Sequence, residues 1–227
     1  MDSSLMNNRR LSTKDFVYYE IKRQVITGEL KPSQSINEIK MASELGISRT
    51  PLREALQRLE LEELIIRQPN GRLKVAPISI REAKEIFKIR GLLEGLIVKE
   101  AAAKIKEDEL QKLQVYTDLL NEAAKNNQTD DVVNYGSEIH SLLYQISGNK
   151  TVIKILDNMN NKISRYRRLG PNDRMTRSKE AAFEHKNLTE AIAERNPIKA
   201  ERLMKEHINN SLTAALESIR SHIGEYE

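Results

Sequence analysis

The run Gly46-Ile47-Ser48-Arg49-Thr50-Pro51-Leu52-Arg53-Glu54-Ala55-Leu56 admits few structures, because a tight turn must feed straight into a helix. Ser48 or Thr50 can accept hydrogen bonds from the free N–H groups of a helix start. Pro51 is tolerated in a first turn because nothing there donates to the helical ladder. Arg49 and Arg53 lie at helical spacing on one face near that start, while Leu52, Ala55, Leu56 and Leu59 take the opposite face and anchor it. A guanidinium presented in this way can reach a phosphate or grip O6 and N7 of guanine, so the segment is expected to be a DNA recognition helix.

The flanking sequence supports that reading. Ser12 and Asp15 suit a helix start, and Phe16, Ile21, Val25 and Ile26 supply an apolar stripe that runs to Gly28. Pro32 and Ser33 turn the chain, after which Ile36, Ile39, Met41, Ala42 and Leu45 predict a short second helix closed by Gly46. Two helices about a glycine turn, the second with arginines at its start, make a helix-turn-helix. After Leu61 the period changes: Leu64-Ile65-Ile66-Arg67 and Arg72-Leu73-Lys74-Val75 flank Pro69-Asn70-Gly71, which predicts a hairpin wing. Asn70 and Gly71 at its tip could approach a groove or a phosphate, although an ordinary surface hairpin would read the same. Residues 1–12 are polar and aperiodic and are expected to be a flexible tail, with a basic arm through Arg9 and Arg10 as the alternative.

The winged unit is expected over 13–76, followed by a linker at 77–79 where Pro77 breaks the pattern. Ser79 and Glu82 then predict a capping box. From residue 80 to 227 the periodicity is helical throughout, with helices near 80–104, 107–126, 130–147, 150–169, 176–195 and 197–223. The breaks fall at Gly148-Asn149, Gly170-Pro171 and Asn196-Pro197. The fold class is therefore mainly α: an N-terminal winged helix-turn-helix, three helices plus a β-hairpin, joined to a C-terminal all-α bundle. At 227 residues the chain can bury two cores, and with 4% aromatic residues and no Trp those cores are aliphatic. No cysteine is present, which removes disulfides and thiolate metal sites and suits a reducing cytoplasm. No apolar run or leader pattern points to a membrane. The net charge of +4 permits a polyanionic partner without requiring one.

Three histidines, His140, His185 and His207, fall on the apolar faces of three different predicted helices. His140 shares its face with Leu143 and Tyr144, His185 with Leu188 and Thr189, and His207 with Leu203 and Met204. Inward imidazoles from separate helices can converge on one divalent metal, although each could equally be a core histidine bonded to a neighbour. His222, near the end of the chain, is expected to face solvent.

The segment from Gly28 to Val75, centred on Ser48-Arg49-Thr50-Pro51-Leu52-Arg53-Glu54-Ala55-Leu56, resembles the winged helix of the GntR family of bacterial transcription regulators. The remainder resembles the FCD ligand-sensing domain of the FadR-like branch. The residues that carry this likeness are Arg90-Gly91-Leu92-Leu93-Glu94, Ala101-Ala102, Ile139-His140, Ser147-Gly148-Asn149, Glu184-His185 and Met204-Lys205-Glu206-His207. The resemblance implies that the three histidines bind a divalent transition metal, zinc or nickel, together with an aspartate one turn before the first. Here that position is Gly136, which leaves two outcomes open: a three-histidine site completed by water or by an effector carboxylate, or loss of the metal. Glu63 and Ser33 also stand where the family usually has glycine.

The resemblance further implies a cytoplasmic homodimer that binds a pseudo-palindromic double-stranded DNA operator, with repression the expected mode and a small organic acid as effector. Arg49 and Arg53 would read or grip DNA from the helix that begins at Ser48, Thr50 and Lys40 would aid phosphate contacts, and Asn70 and Gly71 would form the wing tip. Arg90 and Arg165 are the candidate partners of the effector carboxylate. Two other readings are a metalloenzyme built on the three histidines and an architectural DNA binder without an effector. The first lacks a well-placed general base.

Overall fold

Ser12 starts the first helix: its Oγ accepts from the Asp15 N–H at 3.3 Å and donates to the Asp15 carboxylate at 2.6 Å. In the computed structural model, which describes residues 12–168 and 174–224, this helix, α1 (Thr13–Thr27), ends at Gly28 with a left-handed φ of 82°. Of the expected tail only Ser12 lies among the described residues; Arg9 and Arg10 fall outside them. α1 buries Val17, Tyr18, Ile21 and Val25. Phe16, expected on the apolar stripe, is 54% exposed. The buried face is centred instead on Val17 and Tyr18, and the Arg58 guanidinium lies 3.7 Å over the Tyr18 ring.

Strand β1 (Ser35–Ile36) precedes α2 (Glu38–Glu44), whose N-cap Asn37 accepts from the Ile39 and Lys40 N–H groups. The expected second helix thus loses Ile36, which instead pairs with Leu73 in a sheet. α3 (Arg49–Leu61) follows the Gly46 turn with Pro51 in its first turn. Ser48 takes the N-cap position with extended backbone, but its side chain makes no capping hydrogen bond, contrary to expectation. Strands β2 (Ile65–Arg67) and β3 (Leu73–Val75) form the wing hairpin with Ile66 opposite Lys74, and the sheet order is β1-β3-β2. At the tip Gly71 has a φ of 79°, its N–H donates to the Gln68 carbonyl at 2.8 Å, and Asn70 Oδ1 accepts from the Arg72 N–H at 3.0 Å. Leu52, Leu56, Leu59, Leu64, Ile65 and Val75 close the core beneath α1. Each large aliphatic side chain buried there contributes about 1.5–3 kcal/mol.

The chain divides into two compact units, one up to Ile78 and one from Ser79. The second is all helical: α4 (Ile80–Lys104), α5 (Glu107–Lys125), α6 (Thr129–Ser147), α7 (Lys150–Arg168), α8 (Arg174–Ala193) and α9 (Pro197–Gly224). Ser79 Oγ caps α4 by accepting from the Glu82 N–H at 3.2 Å. The reciprocal half of the expected box is absent, because the Glu82 carboxylate accepts from Lys162 Nζ at 2.8 Å and Tyr166 Oη at 2.5 Å instead. α4 packs along α9 and against α6 and α7, while α5 lies on α6 and α8. Ile97, Val98, Leu113, Leu120, Ile139, Leu143, Ile192 and Met204 are buried between them. Among the described residues no helix is long and apolar enough to cross a membrane. The side chain of His222 lies outside those described.

Candidate nucleic-acid interface and metal centre

The buried face formed by Leu52, Ala55, Leu56 and Leu59 fixes which way α3 turns, and its other face carries Arg49, Thr50 and Arg53 to the surface. Ser48, Lys40, Asn70 and Gly71 are exposed as well, so all seven residues expected at the DNA face lie on the surface of the same unit. Lys40 pairs loosely with Glu44 at 3.7 Å. Arg53 Nε donates to Glu38 Oε2 at 2.8 Å, and Arg49 Nη2 lies 3.9 Å from the same oxygen. Exposed pairs of this kind are worth below about 1 kcal/mol, a small obstacle to a phosphate or a base edge.

Arg67 on β2 binds the wing to α3. Its Nε and Nη2 donate to the Glu60 carboxylate at 3.1 and 2.9 Å, and its Nη1 donates to the Gly71 carbonyl at 3.2 Å. Glu38, Glu60 and Arg67 escaped the sequence reading as partners of the recognition helix. Each is an ordinary charged residue in its local pattern, and only the fold supplies the other half of the pair.

In the helical unit His140 on α6, His185 on α8 and His207 on α9 are all buried, and their ligand atoms lie within 4.8 Å of one another. The ring centroids of His185 and His207 are 4.5 Å apart, and His140 is 5.5 Å from each. Every ring is oriented through Nδ1. That of His140 meets Glu94 Oε2 at 2.8 Å, that of His207 meets Glu184 Oε2 at 2.6 Å, and that of His185 meets the Ala181 carbonyl at 2.7 Å. A carbonyl can only accept, so the proton of neutral His185 sits on Nδ1 and the lone pair on Nε2. His185 Nε2 is buried with no hydrogen-bond partner among the described residues. Burial, followed by repulsion from His207 and His140, pushes its pKa well below 6.5 and keeps it neutral.

This donor set fits a divalent transition ion. It presents imidazole nitrogens from three helices, oriented by carboxylates and a carbonyl behind them, around a buried lone pair that no other described residue uses. Gly136 of α6 faces the same point: a Cβ built there would lie 3.7 Å from His185 Nε2.

Glu94 is fully buried on α4. Burial would raise its pKa, but the adjacent His140 and Arg90, with hydrogen bonds from His140 and Tyr144, outweigh it and hold the carboxyl well below the usual range. Arg90 Nε donates to Glu94 Oε1 at 3.0 Å, while its Nη1 is buried without a partner among the described residues. Arg90 therefore stands one carboxylate behind the imidazole cluster. Arg165 is also buried, and its charge interacts with Tyr166 and with Glu82 of α4. The positions of Glu94 and Glu184 behind the histidines were not legible from helical spacing, because each meets its imidazole from a neighbouring helix.

Comparison with known proteins agrees with both halves. Residues 13–75 match the gntR family of bacterial regulatory proteins, and residues 85–210 match the FCD domain. The chain is 27% identical over 194 residues to the uncharacterized HTH-type transcriptional regulator YdhC of Bacillus subtilis (strain 168), covering 85% of this chain and 86% of that protein. It is 23% identical over 192 residues to the HTH-type transcriptional repressor RspR of Escherichia coli (strain K12), covering 85% and 84%. The solved structure of E. coli McbR/YncC shares the fold with a TM-score of 0.75 at 21% identity, over 92% of this chain and 99% of that one. These relatives are transcriptional regulators rather than enzymes, which removes the metalloenzyme reading. With one match spanning the winged unit and the other most of the bundle, the chain belongs to the GntR family of bacterial regulatory proteins, as a DNA-binding transcription regulator with an FCD domain.

Proposed function

We propose that the chain is a metabolite-responsive repressor that acts in the cytoplasm as a homodimer on a pseudo-palindromic operator, its DNA affinity set by a small carboxylate effector. The observation that carries the DNA half is the exposed Arg49 and Arg53 pair on the first turns of a helix whose opposite face is fully buried. In this reading α3 enters the major groove from Ser48, Arg49 and Arg53 contact bases or phosphates, Thr50 and Lys40 bind phosphates, and Asn70 and Gly71 bring the wing to the backbone. Two identical heads call for two equivalent half-sites. The repressor named among the relatives supports the sign of the response.

The observation that carries the sensor half is the lone pair of His185 Nε2, buried and unused among the described residues. His140, His185 and His207 would hold a zinc or nickel ion, which when bound offers an open position to a carboxylate. Glu94 and Glu184 keep the imidazoles of His140 and His207 oriented, and Arg90 and Arg165 supply the cationic groups for an anionic ligand.

Both halves can be tested. Replacing Arg49 and Arg53 by Ala is expected to weaken binding to a duplex selected by the wild-type chain at least tenfold at constant salt, and unchanged affinity would refute the assignment of α3. Untagged protein incubated with zinc or nickel and then dialysed is expected to retain about one ion per chain. Substituting His185→Ala should abolish it, and metal-free wild type would remove the sensor reading.

A further inference from the structure

The carboxylate of Glu38 is the group that both reading arginines meet, and it reaches them from another element. Glu38 is the first residue of α2 and is held in place by the Asn37 cap. Its Oε2 accepts from Arg53 Nε at 2.8 Å and lies 3.9 Å from Arg49 Nη2, and its side chain is 24% exposed against 57% and 53% for the two arginines. With Nε engaged by Glu38, the two terminal nitrogens of the half-exposed Arg53 guanidinium are the pair left for a bidentate contact with guanine. The same oxygen places a negative charge within a few ångströms of both cations. Salt at 0.15 M screens over about 8 Å, so a phosphate drawn to either arginine still feels Glu38.

Resting on the assignment of α3 to the major groove, we propose that Glu38 is a specificity-determining residue. It orients Arg53 toward base edges and penalises duplexes that offer phosphate charge alone. A site with the right base edges compensates for the nearby carboxylate through directed hydrogen bonds, whereas a site without them meets the repulsion uncompensated. Glu38 thereby lowers non-specific affinity more than specific affinity. A purely structural tie between α2 and α3 would weaken binding to every duplex alike.

The test uses full-length Glu38→Gln, which keeps an acceptor for Arg53 Nε but loses the charge, together with Glu38→Ala. Binding is measured over a salt series to a duplex selected by the wild-type chain from a random pool and to a scrambled duplex of the same length and composition. Glu38→Gln is expected to bind the scrambled duplex three- to tenfold tighter, with a salt dependence steeper by up to about one unit of log–log slope. Its affinity for the selected duplex should change less than threefold. Glu38→Ala, with the orienting acceptor also gone, should lose further affinity for the selected duplex.

A selected-to-scrambled ratio within twofold of wild type in both variants overturns the proposal, as does an equal loss on both duplexes accompanied by a lower melting temperature. Arg53→Ala separates this failure from failure of the underlying reading. If Arg53→Ala binds both duplexes as wild type does, α3 is not the reader and both ideas fall. If Arg53→Ala loses the selected duplex while the Glu38 variants keep the wild-type ratio, the assignment of α3 stands and the role of Glu38 alone falls.

Discussion

Gly136 is unusual in that helix chemistry alone would not choose it. A glycine in a helix interior costs about 0.8–1 kcal/mol relative to alanine. This one is buried in α6 with room for a Cβ, which would sit in ordinary contact, 3.7 Å from His185 Cε1 and Nε2 and from Leu120 Cδ1. Position 136 therefore faces the imidazole cluster and lies beside the lone pair that would bind an ion. Substituting Gly136→Asp adds an anionic oxygen donor next to three imidazole nitrogens and is expected to tighten zinc binding at least tenfold in competition with a chromophoric chelator. Gly136→Ala is the control, expected to raise stability by up to about 1 kcal/mol without changing metal affinity. Equal zinc affinities for wild type and Gly136→Asp would mean that the three histidines do not converge on a bound ion.

Two positions in connections of the winged unit are held in conformations that suit glycine, yet neither is one. Ser33, ahead of β1, has a φ of 62°, and Glu63, ahead of β2, has a φ of 56°. A left-handed residue with a Cβ is disfavoured by roughly 1–2 kcal/mol, partly offset by the smaller conformational entropy it has when unfolded. At Ser33 the backbone N–H is tied to the Val75 carbonyl at 3.1 Å, which fixes the turn independently of the side chain. Ser33→Gly is thus expected to raise the stability of this unit by up to about 1 kcal/mol, seen as a melting temperature higher by a few degrees. A lower one would show that the hydroxyl contributes more than the strain removes. The same elements show what the sequence could and could not disclose. The helices of the bundle were legible because apolar residues recur at helical spacing between breakers such as Gly148 and Pro197, and the inward histidines followed from that period. Ile36 was misplaced because a two-residue strand has no period, and its pairing with Leu73 is decided by a distant hairpin. The bonds of Glu38 to Arg53, Arg67 to Glu60 and Glu94 to His140 were invisible for the same reason: spacing within one helix says nothing about which neighbour the fold brings alongside.

At the scale of the whole molecule, all the histidines, the candidate metal ligands among them, sit in the unit from Ser79 onward, while the arginines of α3 sit in the unit that ends at Ile78. Chelation, and a fall in pH through the histidine range, should therefore act on the stability of the second unit more than the first. In chelator-treated protein His185 is neutral, its pKa well below 6.5 because of burial and then the repulsion of His207 and His140. Above pH 6.5 the folded and unfolded chains both carry a neutral imidazole there, and the residue contributes no slope. Below it the unfolded chain takes up a proton that the folded one excludes. Stability then falls with pH by at most about 1.4 kcal/mol per unit from this group. Glu94 acts in the same direction at lower pH, because a carboxyl whose folded pKa lies below 4.5 contributes stability above that value and loses it as the pH falls. Calorimetry of metal-free protein at steps from pH 7 to pH 5.5 is expected to show the helical unit melting earlier at each step below pH 6.5, with a shallower dependence in His185→Leu. A saturating divalent ion should oppose the trend by binding the folded state alone, adding about 2.7 kcal/mol at a hundred times its dissociation constant. Identical pH slopes for wild type and His185→Leu would place the acid sensitivity elsewhere in the bundle and remove His185 as its source.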